Sequence, residues 1–170
     1  MLTCSASAFL LVIQKGSDDV LLNIEELKKQ IGVEIGGSDW FLISQDKIDL
    51  FADVTNDHQF IHTDPEKAAL TPFGSTVAHG FLSLSMLSYF AETGFALDVE
   101  NSKMALNYGF DKVRFISPVK VNDKIRGRAT LLSVEEKNAK QLLIKQRVIV
   151  DIENGDKPAL LADWLTMYVY

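Results

Sequence analysis

The C-terminal half of the chain alternates between hydrophobic and polar positions with a period of two. The stretches with this pattern are rich in Val, Ile, Thr and aromatic residues and span 112–116, 125–132, 141–152 and 160–169. Such alternation is typical of β-strands that bury one face. Asn154 and Gly155 lie between the last two stretches and form a dipeptide typical of hairpin turns. The pattern therefore predicts consecutive antiparallel strands.

The most apolar segment of the chain precedes these strands and runs from 78 to about 97. Its large hydrophobic residues are distributed around most of a helical wheel, which predicts a helix buried on most sides. They are Phe81, Leu82, Leu84, Met86, Leu87, Phe90 and Phe95.

The first third of the chain shows helical periodicity with clear start and stop residues. Asn23 is a typical N-cap, Glu26 completes a capping-box pair with it, and Gly32 ends the pattern. The apolar face of this helix carries Ile24, Leu27 and Ile31. We predict that residues 1–31 form a helical arm and that 32–170 form a single domain.

Two further elements are predicted at the start of this domain. Residues 40–43 have the composition of a strand, and Ser44 then caps a helix from Asp46 to about Val54. Its inward positions are Ile48, Phe51 and Ala52. One central helix followed by antiparallel strands predicts an α+β fold in which a curved sheet wraps the helix. A doubly wound nucleotide-binding fold is disfavoured, since no Gly-x-Gly-x-x-Gly is present.

Composition excludes several function classes. The net charge of −6 disfavours nucleic-acid binding, which requires a surplus of basic side chains. The single cysteine, Cys4, cannot form an intrachain disulfide or a Cys-based zinc site. The apolar run 8–13 lacks a preceding basic residue and a cleavage site, and no run reaches the roughly 20 residues of a membrane span. We therefore expect a cytoplasmic protein without membrane segments.

All three histidines of the chain, His58, His62 and His79, fall within residues 58–79. Asp57 and His62 lie five residues apart in a loop predicted between helices, and Asp64 is placed to cap the next helix. A carboxylate beside an imidazole can transfer protons near neutral pH. Asp57 is equally compatible with a simple turn residue. His58 and His62 have the spacing of a helical metal pair, but the companion Glu or Cys ligands are missing, so we predict no metal site.

A second candidate feature is the sequence Ala78-His79-Gly80-Phe81 at the head of the apolar helix. The unpaired N–H groups of a helix start favour a partial negative charge, such as a carbonyl oxygen, and Gly80 permits close approach. His79 is equally compatible with packing or with a hydrogen bond to the backbone. Within the helix, serines 83, 85 and 88 are expected mostly to bond the carbonyl one turn earlier.

Together these residues resemble the MaoC-like family of (R)-specific enoyl-CoA hydratases. The resemblance rests on Asp57 followed by four residues and His62, then on Gly80 in its Ala-His-Gly-Phe setting. The surrounding sequence resembles the nodulation-protein-N-like branch of this family, from about Gly32 to the C-terminus. The segments that carry this closer likeness are Ser38-Asp39-Trp40-Phe41, Phe51-Ala52-Asp53, Pro72-Phe73-Gly74 and 107–115.

The resemblance implies a hot-dog fold and a hydro-lyase of fatty acid metabolism, with Asp57 and His62 as the dyad that activates water. Gly80 would offer its N–H to the thioester carbonyl, without metal or cofactor. The substrate would be an acyl thioester of coenzyme A or of acyl carrier protein, and the enzyme a homodimer. Supporting residues would be Ser88 and Asn56, and pocket residues Phe60, Phe81 and His79.

This sequence departs from the commonest family pattern at two places in the dyad loop. Asn56 replaces a glycine, and Gln59-Phe60 replaces Asn-Pro. These changes affect loop shape and substrate preference. Two alternatives stay open for other reasons: a hot-dog thioesterase, whose water attacks the carbonyl carbon at the same helix-end site, and a non-catalytic acyl-binding module with an idle dyad.

Overall fold

The computed structural model describes residues 22–170, so Cys4, the apolar run 8–13 and most of the predicted arm lie outside the described residues. The described chain forms one six-stranded sheet in which every strand pair is antiparallel. The strands are β1 (Glu34–Gly37), β2 (Phe41–Leu42), β3 (Met104–Phe115), β4 (Lys124–Asn138), β5 (Gln141–Ile152) and β6 (Leu160–Val169). Their order is β1-β4-β5-β6-β3, with β2 also paired to β4.

The helices are short and lie in the first two thirds of the chain. They are α1 (Ile24–Lys29), α2 (Gln45–Thr55), α3 (Phe60–Thr63), α4 (Pro65–Ala69), α5 (Gly80–Ser85) and α6 (Leu87–Phe90). A π-helical turn, Ala91–Phe95, follows α6 directly. The long helix predicted from 78 to about 97 is therefore present as three consecutive helical pieces.

The predicted strands 141–152 and 160–169 have the bounds of β5 and β6. Along β5 every second side chain is buried, as predicted from the alternation of hydrophobic and polar residues. Asn154, in the loop between these strands, adopts the left-handed conformation with φ 59°. The antiparallel sheet is thus confirmed.

The sheet packs around the helical pieces, as predicted. Leu87, Phe90 and Phe95 share a core cluster with residues of β4, β5 and β6, among them Ile125, Ala129, Val148 and Ala162. A Cβ atom on Gly94 would overlap the backbone of Ser38, so glycine is required where the π-helical turn meets the end of β1. The helical segment is not buried on most sides, however. Phe81 and Tyr89 are exposed on one face.

The capping box predicted at the start of α1 is present. The Asn23 side chain accepts from the Glu26 N–H at 3.0 Å, and the Glu26 carboxylate accepts from the Asn23 N–H at 3.1 Å. Leu27 is fully buried beside residues of β4, β5 and β6, whereas Ile31 lies beyond the helix and is exposed. The boundary between 31 and 32 stays a prediction.

One strand and the first part of another were not predicted. β1 contains the Gly36-Gly37 pair and shows no alternation of hydrophobic and polar residues. The first part of β3 has exposed residues on both faces, and its register shifts near Asn107 and Phe110 break the alternation. An irregular edge strand of this kind leaves no clear period of two. None of the helices in the described residues is long and apolar enough for a membrane span.

Candidate active site

Asp57 and His62 are held by a segment built from short helices with well-defined ends. Asn56 ends α2 in the left-handed conformation, with φ 56°. His62 lies in the single turn of α3, and Asp64 caps α4 by accepting from the Lys67 N–H at 3.0 Å. This confirms the predicted cap at Asp64. Gln45 of α2 ties the segment down by donating to the His62 carbonyl at 2.8 Å.

The hydrogen bonds of His62 define which of its ring nitrogens is free. Its Nδ1 lies 2.6 Å from the Val77 carbonyl oxygen. Since a carbonyl only accepts, Nδ1 carries the proton, and Nε2 of the neutral ring keeps a lone pair. The residue is 7% exposed, and this burial lowers the pKa of His62 below its ordinary value of 6.5. His62 is therefore a neutral base at neutral pH.

His79 connects the two predicted dyad residues. Its Nε2 donates to the Asp57 carbonyl at 2.9 Å, and its ring stacks on that of His62 with centroids 3.7 Å apart. Each of the three residues Asp57, His62 and His79 has one nitrogen or carboxylate oxygen that could bind a metal, and these three atoms lie within 4.8 Å of one another. The structure therefore brings the predicted carboxylate and imidazole together, with Asp57 exposed and both histidines buried.

The geometry of these three side chains does not suit a metal ion. An ion bound by two imidazoles lies in the plane of each ring, but the His62 and His79 rings are stacked at 25° and cannot direct their lone pairs to one nearby point. His58 is not part of the group. It lies 3.6 Å from Asp53 on the surface. The predicted absence of a metal stays a prediction, which this geometry supports.

A cavity of 260 Å³ lies beside this group. His62, Gly80 and Ser83 contribute to its wall, together with the segment 115–119 that follows β3. Gly80 is the first residue of α5, and no described residue accepts from its N–H. A Cβ atom there would lie 3.0 Å from the Phe115 ring. A larger cavity of 610 Å³ beside α1 contains none of the candidate site residues.

Asp57 and His79 adjoin His62 but are not part of the cavity wall, and four other predicted site residues lie outside it too. Asn56 and Phe60 are exposed in the dyad segment, and Phe81 is exposed with its ring edge-to-face on Phe115, centroids 5.6 Å apart. Ser88 lies beyond α5, where its hydroxyl accepts from the Asn107 side chain at 3.5 Å. The structure does not bring these four to the dyad, and their roles stay predictions.

Ser83 is a site residue that the sequence did not reveal. We expected helix serines to bond the carbonyl one turn earlier, and Ser85 does so with Phe81 at 2.7 Å. Ser83 is buried in the cavity wall, but its hydroxyl makes no hydrogen bond to any described residue. Nothing in the sequence distinguishes Ser83 from Ser85, because only the position of the cavity separates them.

Comparison with known proteins agrees with this geometry. The family model described as "MaoC like domain" matches residues 26–153. The chain belongs to the MaoC-like family. Within that family it is 47% identical over 147 residues to Nodulation protein N of Rhizobium leguminosarum bv. viciae, covering 86% of this chain and 91% of that protein. It is 40% identical to the 3-hydroxyacyl-thioester dehydratase Z of Mycobacterium tuberculosis, covering 86% and 96%.

A solved structure shows the same architecture. The (R)-hydratase PhaJ1 of Pseudomonas aeruginosa superposes with a TM-score of 0.62 at 25% identity, covering 82% of this chain and 81% of that chain. The hot-dog fold is thereby confirmed. The prediction of a hydro-lyase is confirmed at the level of the family.

Proposed function

We propose that this MaoC-like protein is an (R)-specific hydratase of trans-2-enoyl thioesters, running the reverse dehydration as conditions demand. One observation carries the proposal. His62, with its unprotonated Nε2, and Gly80, with its unpaired N–H, line the same cavity, and a carboxylate oxygen of Asp57 lies within 4.8 Å of a ring nitrogen of His62. This arrangement offers a base, an acid and an oxyanion donor on one side of a bound substrate.

The reaction uses these groups in one syn addition. The thioester carbonyl accepts from the Gly80 N–H, and negative charge develops on this oxygen as water adds to Cβ. The dyad of Asp57 and His62 takes one proton from the water while the water oxygen bonds to Cβ. The dyad also delivers one proton to Cα on the same face. The product is an (R)-3-hydroxyacyl thioester. Ser83 adds a hydroxyl donor to the same wall, and no step requires a cofactor.

Two relatives support this choice of reaction. The mycobacterial relative is named a 3-hydroxyacyl-thioester dehydratase, and the Pseudomonas structure is an (R)-hydratase. The substrate class we infer is an acyl thioester carried by coenzyme A or by acyl carrier protein, in the cytoplasm. The acidic net charge of −6 argues against a nucleic-acid partner.

Parallel assays on one preparation test the proposal. Loss of enoyl absorbance is followed with crotonyl-CoA and with the matching carrier-protein thioester, and thiol release is followed with a saturated acyl-CoA. We expect hydration without thiol release. Thiol release alone would make the protein a thioesterase, and binding of crotonyl-CoA without turnover would make it an acyl-binding module.

We further propose that the protein is a homodimer that pairs through β3. This strand lies at the end of the sheet order, so one of its edges is unpaired. Its exposed side chains include large apolar ones, namely Met104, Leu106, Tyr108 and Phe110. A second copy of the same edge in antiparallel orientation would satisfy both. Light scattering should give twice the chain mass, and a fully active monomer at micromolar concentration would contradict the proposal.

A further inference from the structure

His79 contacts both members of the dyad and is itself almost completely buried, with 4% of its surface exposed. Its Nε2–H donates to the main-chain carbonyl of Asp57, and one ring face covers His62. The centroid of the His79 ring also lies 5.1 Å from the centroid of the Phe51 ring in α2. The residue thus links the start of α5 to the loop that carries Asp57.

We propose that His79 is a positioning residue for hydration: its N–H fixes the Asp57 main chain, and its ring fixes the plane of His62. This inference rests on the proposed function above. The His79 Nε2–H donates to the main-chain carbonyl of Asp57, whereas the carboxylate oxygen Oδ2 of Asp57 lies farther from Nε2, at 3.9 Å. The carboxylate therefore remains available to water, and His79 restrains the backbone from which it extends.

The hydrogen bond of His79 defines which ring nitrogen donates. Because Nε2 donates to a carbonyl, Nδ1 is the unprotonated nitrogen, and this atom is buried with no hydrogen-bond partner. The Nε2–H of this tautomer points to Asp57, and the ring carries no donor on its Nδ1 side. The groups that face His62 are Asp57 and His79.

Two substitutions separate the hydrogen bond from the stacking. His79→Gln keeps an N–H donor near the Nε2 position but removes the ring, whereas His79→Phe keeps a flat ring but removes the donor. Each should lower kcat about 10- to 100-fold with little change in KM, since small displacements of reacting groups cost that much. His58→Gln and His58→Phe are matched controls on an exposed histidine and should keep the wild-type kcat.

The pH profile of kcat/KM distinguishes positioning from simple support of the fold. Removing the ring in His79→Gln exposes His62 to water, so the acidic limb of the profile should move up towards 6.5. His79→Phe keeps His62 covered, so the limb should move less in this variant. Wild-type kcat in both variants would overturn the proposal. So would a loss of kcat in which the acidic limb of His79→Gln does not move.

A measurement on the wild-type protein is independent of activity. With ¹⁵N-labelled histidine, nuclear magnetic resonance should show His62 protonated on Nδ1 and His79 protonated on Nε2. His58→Gln assists the assignment. A His79 ring protonated on Nδ1 in place of Nε2 would overturn the proposal. If these tautomers hold but crotonyl-CoA is not hydrated, the proposed function fails and the positioning geometry stands.

Discussion

The dyad segment, residues 56–80, differs from the strands β4 to β6 in the length of its elements and in the kind of side chain that it buries. In the strands, buried apolar side chains repeat along long regular elements and each strand pairs with its neighbour over most of its length. In the dyad segment the helices are one or two turns long, and polar side chains such as His62, Thr76 and His79 are buried. We infer from this difference that the strands contribute mainly to stability and the dyad segment mainly to the chemistry. Substitutions should therefore affect one property or the other.

The largest expected effect is the loss of the dyad. Asp57→Asn and His62→Gln should each lower kcat by about 10² to 10⁴, the usual contribution of a general acid or base. The unfolding midpoint should be nearly unchanged in Asp57→Asn. Steady-state kinetics and urea unfolding of the same samples measure both properties.

A matched control lies one turn earlier. Asp53 and His58 have the same five-residue spacing but lie on the surface, 3.6 Å apart. Asp53→Asn and His58→Gln should therefore leave kcat unchanged. If Asp57 and His62 act on one water, the double variant should be scarcely slower than the worse single variant. Additive losses would assign them separate roles.

In the sheet we expect the opposite result, a loss of stability without a loss of kcat. Ile144 of β5 is fully buried, so Ile144→Ala should lower the free energy of unfolding by about 2 to 5 kcal/mol while kcat stays near wild type. Urea unfolding and enoyl-CoA hydration check the two halves of this prediction. A large loss of kcat in folded Ile144→Ala would show that the two regions are coupled.

A smaller effect is expected at Ser83. If its hydroxyl donates to the substrate, Ser83→Ala should lower kcat/KM about fivefold, which corresponds to the roughly 1 kcal/mol of one hydrogen bond. Ser85→Ala, whose hydroxyl bonds the Phe81 carbonyl instead, is the control and should keep kcat/KM. Equal effects in both variants would place Ser83 in the fold alone.

Chain-length preference is predicted to respond to two bulky exposed residues, one in the dyad segment and one at the start of α5. Phe60→Ala and Phe81→Ala should change the ratio of rates on short and long enoyl-CoA substrates, because both rings are exposed near the dyad segment or the start of α5. Rates across a graded series of acyl chains measure this. An unaltered ratio in both variants would remove these residues from the substrate path.

The smallest effect is a pH dependence of stability. Burial lowers the pKa of His62 below 6.5, so the folded protein binds fewer protons here than the unfolded chain. This contribution to stability is therefore complete above pH 6.5 and is lost as the pH falls from 6.5 through the lowered pKa. Wild type should lose stability below pH 6.5 more steeply than His62→Gln. Identical slopes in urea unfolding at each pH would contradict the assignment.

The predictability of the two regions also differs, for physical reasons. The bounds of β5 and β6 followed from the period of two, because one buried face imposes alternation. Asp57, His62 and Gly80 were predicted as site residues from their spacing, and the structure brings Asp57 close to His62. The stacking of His79 on His62 and the free hydroxyl of Ser83 could not be predicted, since both depend on contacts between segments distant in sequence. The exposed face at Phe81 and Tyr89 was missed because apolar composition does not report which side a neighbour covers.

The central claim is that one dyad adds water to one face of an enoyl thioester. Hydration of crotonyl-CoA in deuterium oxide, with chiral analysis and nuclear magnetic resonance of the product, tests it most directly. The account predicts a single (R)-3-hydroxybutyryl thioester in which deuterium on Cα and oxygen on Cβ were added to the same face. An (S) product, addition to opposite faces, or release of free thiol in place of hydration would contradict it.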